Sequence, residues 1–214
     1  LPQTSDRTVA KLGSRVSEPV MSMLFGRVFK HVDVFLPMTR WCGESLVGDY
    51  GVATDRVYPT YCPVDLARWR PGGRPSSPDE PVTLLFVGND FIRKGGESLL
   101  RIYRKCRRDL PVRLRIVSRD RVLMNRGLPA GVKVVRDVPL EKLVDLYREA
   151  AVFVFPTRKE FLGVAAIEAC CVGIPVVARD VGGIGEFVID GHNGYLMPYD
   201  SSEDDWAATI RHLV

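Results

Sequence analysis

The chain has 214 residues, 46% hydrophobic and 26% charged, which suits a soluble globular protein of one large or two small domains. No apolar stretch approaches the ~18 residues of a membrane span, and the net charge is a modest +4. The start at Leu1-Pro2 carries neither a methionine nor a basic-then-apolar leader, so it reads as an excised piece rather than a signal peptide or natural N-terminus.

From Ser17 to Arg70 the pattern predicts an amphipathic helix around Glu18 to Lys30, a strand VDVFLP, a helix from about Arg40 to Asp49 and a strand near Arg56 to Tyr61. Proline, glycine and serine dominate RPGGRPSSPDEP, Arg70 to Pro81, which reads as a linker. Beyond it strands and helices alternate. VTLLFVG, VRLRIVS and VKVVRDV read as strands, Glu97 to Arg108 and Leu140 to Glu149 as helices, and AVFVFP as a buried parallel strand. Such alternation implies a doubly wound parallel sheet with helices on both faces, an α/β Rossmann-like fold. The predicted organisation is a preface over 1–70, a linker over 71–81 and a Rossmann-like domain over 82–214.

The segment EFLGVAAIE, Glu160 to Glu168, follows AVFVFP and opens the helix VAAIEACCVG, which closes on Gly173 as its C-cap before the strand IPVVA. Ligands of such sheets sit at the carboxyl ends of strands, where the unpaired amides of Leu162, Gly163 and Val164 would face them. Gly163 has no side chain to keep an anion from the backbone. Glu168 lies about one turn into the helix, and an ionised carboxylate accepts from both hydroxyls of a ribose diol. Downstream, Gly182 and Gly183 in DVGGIGE form either a turn approaching a bound sugar or a plain tight turn.

These motifs taken together resemble those of the large GT-B glycosyltransferase family 4. EFLGVAAIEA followed by GIPVVARDVGGIGEFVIDGHNGYLMP is similar to the family's Glu, seven residues, Glu signature with G-x-P-V-V and G-G-x-x-E, and LLFVGNDFIRKGG, with Gly88 and Lys94, resembles its phosphate-binding segment. Weaker similarity reaches back through VDVFLPMT, so the resemblance covers nearly the whole chain. It implies the C-terminal, donor-binding half of a retaining, nucleotide-sugar-dependent enzyme, with 1–70 the tail of the acceptor domain. It also implies that most of that domain is missing, with the C-terminal helix that crosses back to it. The family's arginine after V-G falls on Asn89, and Arg93 is the replacement guanidinium. Its Gly-Phe-Gly is Phe161-Leu162-Gly163 here, so only the last glycine survives.

The resemblance assigns catalytic roles to Glu160, Lys94 and Arg93: the cations and helix amides stabilise the leaving diphosphate and Glu160 positions the donor sugar. Donor contacts fall to Glu168, Leu162, Gly163, Val164, Gly88, Gly182 and Gly183. The donor would be a UDP- or GDP-sugar and the acceptor a glycan, lipid or small molecule, with no nucleic acid. No cofactor and no metal are expected. Cys42, Cys62, Cys106, Cys170 and Cys171 show no metal spacing and read as reduced, buried thiols of a cytoplasmic protein. The basic run Arg101 to Arg121 reads as a solvated helix face or a peripheral contact with anionic lipid, and it lacks the interleaved aromatics of a nucleic-acid surface. The glycines of VGNDFIRKGG are wrongly spaced for a dinucleotide fingerprint, and the P-loop pattern is absent. A nucleotide-sugar binding module without turnover and a GT-B epimerase are the alternative readings. The fragment alone is expected to bind a nucleotide but not to transfer sugar, because the facing wall of the cleft is absent.

Overall fold

The computed structural model describes residues 18–72, 80–124 and 126–214, so the middle of the expected linker, 73–79, lies outside the described residues. The chain divides into two compact units, one ending at Tyr61 and one beginning at Cys62.

In the first unit, helix α1 spans Glu18–Phe29 and helix α2 spans Arg40–Gly48. Thr39 starts α2 by accepting from the Cys42 amide at 3.0 Å, which satisfies one of the donors a helix N-terminus leaves open. The two expected strands of this unit are not formed. A single parallel bridge joins Phe35 to Val57, with the Phe35 amide donating to Arg56 O and the Tyr58 amide to Phe35 O. Pro37 has no N–H to return a bond to Tyr58 O, so the ladder breaks there, although the Thr60 amide still donates to Pro37 O at 2.9 Å. Phe29 packs against Phe35 and Tyr50 at ring distances of 5.1 and 5.4 Å.

The second unit holds a six-stranded sheet, wholly parallel. Its strands are β1 Val82–Val87, β2 Val112–Val117, β3 Val132–Val135, β4 Val152–Phe155, β5 Val176–Arg179 and β6 Gly194–Met197. The spatial order is β3-β2-β1-β4-β5-β6. Every residue of β4 and β5 is buried, as continuous apolar runs in a parallel sheet require. The order reverses between β1 and β4, and there the connections diverge and leave a crevice at the strands' carboxyl ends.

Helices α3 Gly96–Asp109, α4 Leu140–Arg148, α5 Val164–Cys171 and α6 Glu203–Leu213 complete the unit. Gly173 is not the C-cap itself but the residue after it, Val172 being the cap. Its φ of +78° lets the Gly173 amide reach Cys170 O and the Ile174 amide reach Ala169 O, a Schellman ending. Strand β6 and helix α6 extend the fold beyond the expected elements, and α6 begins on a capping box between Ser202 and Asp205. Trp206, Ala207 and Ile210 bury its inner face. Much of the basic run is used within this unit: Arg101 pairs with Glu203, Lys105 with Asp204, Arg113 with Glu80, and Arg115 with Glu149.

The second unit starts earlier than the expected boundary after Arg70. Trp69 is buried in its core, edge-on to Tyr147 at 5.3 Å, and Arg148 donates to the carbonyls of Arg68 and Arg70. Residues 62–72 are therefore part of this unit's packing.

The loops after β1 and β4 meet through backbone. Gly95 has φ +79°, and a Cβ there would stand 1.8 Å from Pro156 O. Gly191 has φ +72° but open space around it. Gly191→Ala should therefore cost only the left-handed backbone penalty of about 1–2 kcal/mol, and Gly95→Ala clearly more, read from urea unfolding midpoints. Equal losses at the two positions would show that the loops do not touch.

Candidate functional site

Lys94 leaves the loop after β1 and Glu160 the loop after β4, so they approach the crevice from its two sides. Their side chains meet: Lys94 Nζ donates to Glu160 Oε2. Both are largely withdrawn from solvent, with side-chain exposures of 18% and 11%, so this pair is far less screened than a surface salt bridge. Lys94 Nζ also stands 5.0 Å above the Phe155 ring, a cation–π contact that fixes it over the end of β4. Gly88 makes room for this lysine, since a Cβ would lie 3.3 Å from Lys94 Cγ. The Gly88 amide itself is bonded to Val117 O.

Arg93 does not stand beside Lys94 as a second free cation. Its Nε pairs with Asp90 at 2.8 Å and its Nη1 donates to Lys159 O at 2.9 Å, while the Arg158 amide returns a bond to Arg93 O. It laces the β1 loop to the β4 loop. At the position of the family's arginine, Asn89 Oδ1 accepts from the Arg119 amide and ties the same loop to the end of β2.

Gly182 and Gly183 brace the loop that carries Glu160. Gly182 has φ +62°, and a Cβ on it would fall 1.8 Å from Glu160 O, while the Gly183 amide donates to Phe161 O at 2.9 Å. The turn therefore fits closely against the Glu160–Phe161 backbone. Helix α5 opens at Gly163, in the left-handed region with φ +78°, where Ile184 already stands 3.1 Å from the site of a Cβ. Its first backbone bond within the turn runs from the Ala166 amide to Gly163 O, so the amides of Leu162, Gly163 and Val164 precede the hydrogen-bonded turns. Leu162 is buried and Val164 exposed.

Glu168 sits in the second turn of α5, half-buried, and engages α4 rather than the Lys94–Glu160 pair. Its Oε2 accepts from Tyr147 Oη at 2.9 Å. Burial pushes its carboxyl above the ordinary range, and the tyrosine bond pulls the other way. Tyr147 is a residue the sequence reading did not single out. The available signal was a tyrosine on the inner face of an amphipathic helix, whose buried hydroxyl has to find a partner. Burial, and then the neighbouring Glu168, raise the Tyr147 hydroxyl well above its usual value. All five cysteines are free. Cys106 and Cys170 are pushed up to about 11 chiefly by burial, which keeps both thiols protonated and unreactive.

A lysine, two carboxylates and a helix N-terminus at the switch point of a parallel sheet can hold a diphosphate and a polyhydroxylated group side by side. Comparison with known proteins points the same way. D-inositol 3-phosphate glycosyltransferase of Saccharomonospora viridis is 35% identical over 193 residues, 79% of this chain and 44% of the relative. That of Nocardia farcinica is 30% identical over 210 residues, 88% of this chain and 46% of the relative. The chain thus spans less than half the length of these curated relatives. Among solved structures, sucrose-phosphate synthase from Thermosynechococcus elongatus superposes with a TM-score of 0.77 at 23% identity, covering 96% of this chain and 55% of that one. Anabaena HepE in complex with UDP and glucose gives 0.74 at 17% identity, covering 93% and 57%; at such identities the likeness is one of fold, here the GT-B fold. A family model described as Glycosyl transferases group 1 matches residues 81–214, and the chain belongs to that family.

Proposed function

We propose that this chain carries the donor site of a retaining family 4 glycosyltransferase, which moves a sugar from a nucleoside diphosphate to a hydroxyl acceptor. The observation that carries the reading is the placement of Lys94 and Glu160 face to face at the switch point, with the start of α5 beside them. Lys94 and the amides of Leu162, Gly163 and Val164 hold the diphosphate and stabilise the charge it gains as it leaves. Glu160 positions the donor sugar, Glu168 the ribose, and Arg93 supports the lysine by holding the two loops together. Lysine and amides carry the phosphate charge here without a metal ion. The complex of HepE with UDP and glucose supports UDP as the first nucleotide to test, with GDP as the comparison. The acceptor class rests on the curated relatives' names alone, a polyol phosphate. We place its site of action in the cytoplasm with peripheral membrane contact. Among the described residues no helix is long and apolar enough to cross a membrane.

Lys94 and Glu160 neutralise each other, so a diphosphate approaching Lys94 competes with Glu160. Lys94→Ala should weaken UDP binding by roughly tenfold or more, the worth of a charge-assisted contact, and leave uridine binding unchanged. Glu160→Gln should strengthen UDP binding. Calorimetric titration of the chain with UDP, GDP and uridine checks both, and a uridine loss equal to the UDP loss would exclude a phosphate role for Lys94.

Glu168→Gln should also cost about tenfold in UDP affinity. It has a second expected effect on stability. A carboxyl whose folded pKa is raised stabilises the fold fully below its unfolded titration range, and that stabilisation is lost as pH rises through the folded value. The substitution should flatten the fall in melting temperature between about pH 4.5 and neutrality. An unaltered pH profile would mean that Glu168 is not held in a desolvated site.

A further inference from the structure

We propose that Tyr147 is a positioning residue of the donor site, fixing the Glu168 carboxylate so that one of its oxygens is left directed to a ribose diol. The inference rests on the ribose role assigned to Glu168 above. Tyr147 has no freedom of its own. Its ring is fully buried, stacked on Phe153 at 5.5 Å and met edge-on by Trp69 at 5.3 Å. Arg148, the next residue, is tied to the carbonyls of Arg68 and Arg70, which closes the segment carrying Trp69 over the same helix.

The hydroxyl at the end of this fixed ring faces two acceptors, Glu168 Oε2 at 2.9 Å and Ala165 O at 3.1 Å. It has one proton to give, and an ionised carboxylate is the stronger acceptor. Both acceptors belong to α5, so one buried phenol registers the helix backbone and the carboxylate together. With Oε2 engaged, Oε1 is the oxygen left for ligand hydroxyls. A glutamate side chain with three rotatable bonds would otherwise have to be ordered by the ligand, at the expense of affinity.

The titratable groups set against Glu168 are Tyr147 from α4 and Cys171 on its own helix, whose thiol is raised by burial and by Glu168. Loss of the tyrosine bond removes the one contact that favours the ionised carboxylate. In Tyr147→Phe, Glu168 should therefore titrate higher than in the wild type.

The test uses the whole chain and four proteins: wild type, Tyr147→Phe, Glu168→Gln and the double variant. UDP and 2′,3′-dideoxy-UDP are titrated by calorimetry, and Glu168 is titrated by carboxyl ¹³C NMR. Tyr147→Phe should weaken UDP binding about tenfold, leave dideoxy-UDP binding unchanged, raise the Glu168 pKa and have no further effect when Glu168 is already Gln. Equal losses for the two nucleotides, or an additive double variant, would make Tyr147 a purely structural residue and overturn the proposal. Wild-type chain that binds no UDP or GDP at all would overturn the donor-site reading itself, and this outcome is distinct from wild-type binding that Tyr147→Phe leaves unchanged.

Discussion

The candidate site depends on a contact between two loops that only a missing side chain permits. Gly95 rests on Pro156 O so closely that no Cβ could be accommodated, and the same approach brings Lys94, one residue earlier, within reach of Glu160, four residues later. The sheet order makes this meeting possible, because β1 and β4 are neighbours although their first residues, Val82 and Val152, are 70 positions apart. Gly182 repeats the device from the β5 side, against Glu160 O. The loop bearing Glu160 is thereby held from both sides by backbone contacts, which have no rotamers to lose.

Charge is arranged on that frame in two different ways. Lys94 and Glu160 are opposite charges in mutual contact, so their burial is offset by their attraction. Among the described residues Glu168 has no cation opposite it; a neutral hydroxyl is its partner, and burial therefore works against its ionisation. The first carboxylate is satisfied by its lysine as it stands. The second is buried at some cost to its ionisation, a pattern that clusters where groups serve a ligand rather than the chain.

Lys94 and Glu160 were placed in one site by the family resemblance, whereas local signals in the sequence were enough for the strand, loop and helix from Ala151 to Gly173 and for β1 to β3. They were legible because each element is apolar or amphipathic over its own length. The strands expected at VDVFLP and near Arg56 to Tyr61 were not, since a strand exists only with a partner and Pro37 interrupts the pairing. Helix α6 had a signal, Ser202 three residues before Asp205, although β6 has only four residues. Within the site, residue types were legible and their partners were not: nothing local tells that Arg93 would bind Lys159 O, that Gly88 would clear space for Lys94, or that Gly182 would lie on Glu160 O. The first and the last of these join loops that follow different strands, so the order of strands sets them.

The family model's match begins at residue 81, yet the packing of the Rossmann-like unit begins at Cys62, and Trp69 lies in the gap between the two. That tryptophan forms one wall around Tyr147. Recognition and support therefore have different borders along the chain. A chimera joined at Pro81 would exchange the whole recognisable domain while leaving its innermost aromatic ring with a foreign neighbour, and the junction that respects the physics lies upstream, between the bridge to Val57 and the clasp of Arg148 on Arg68.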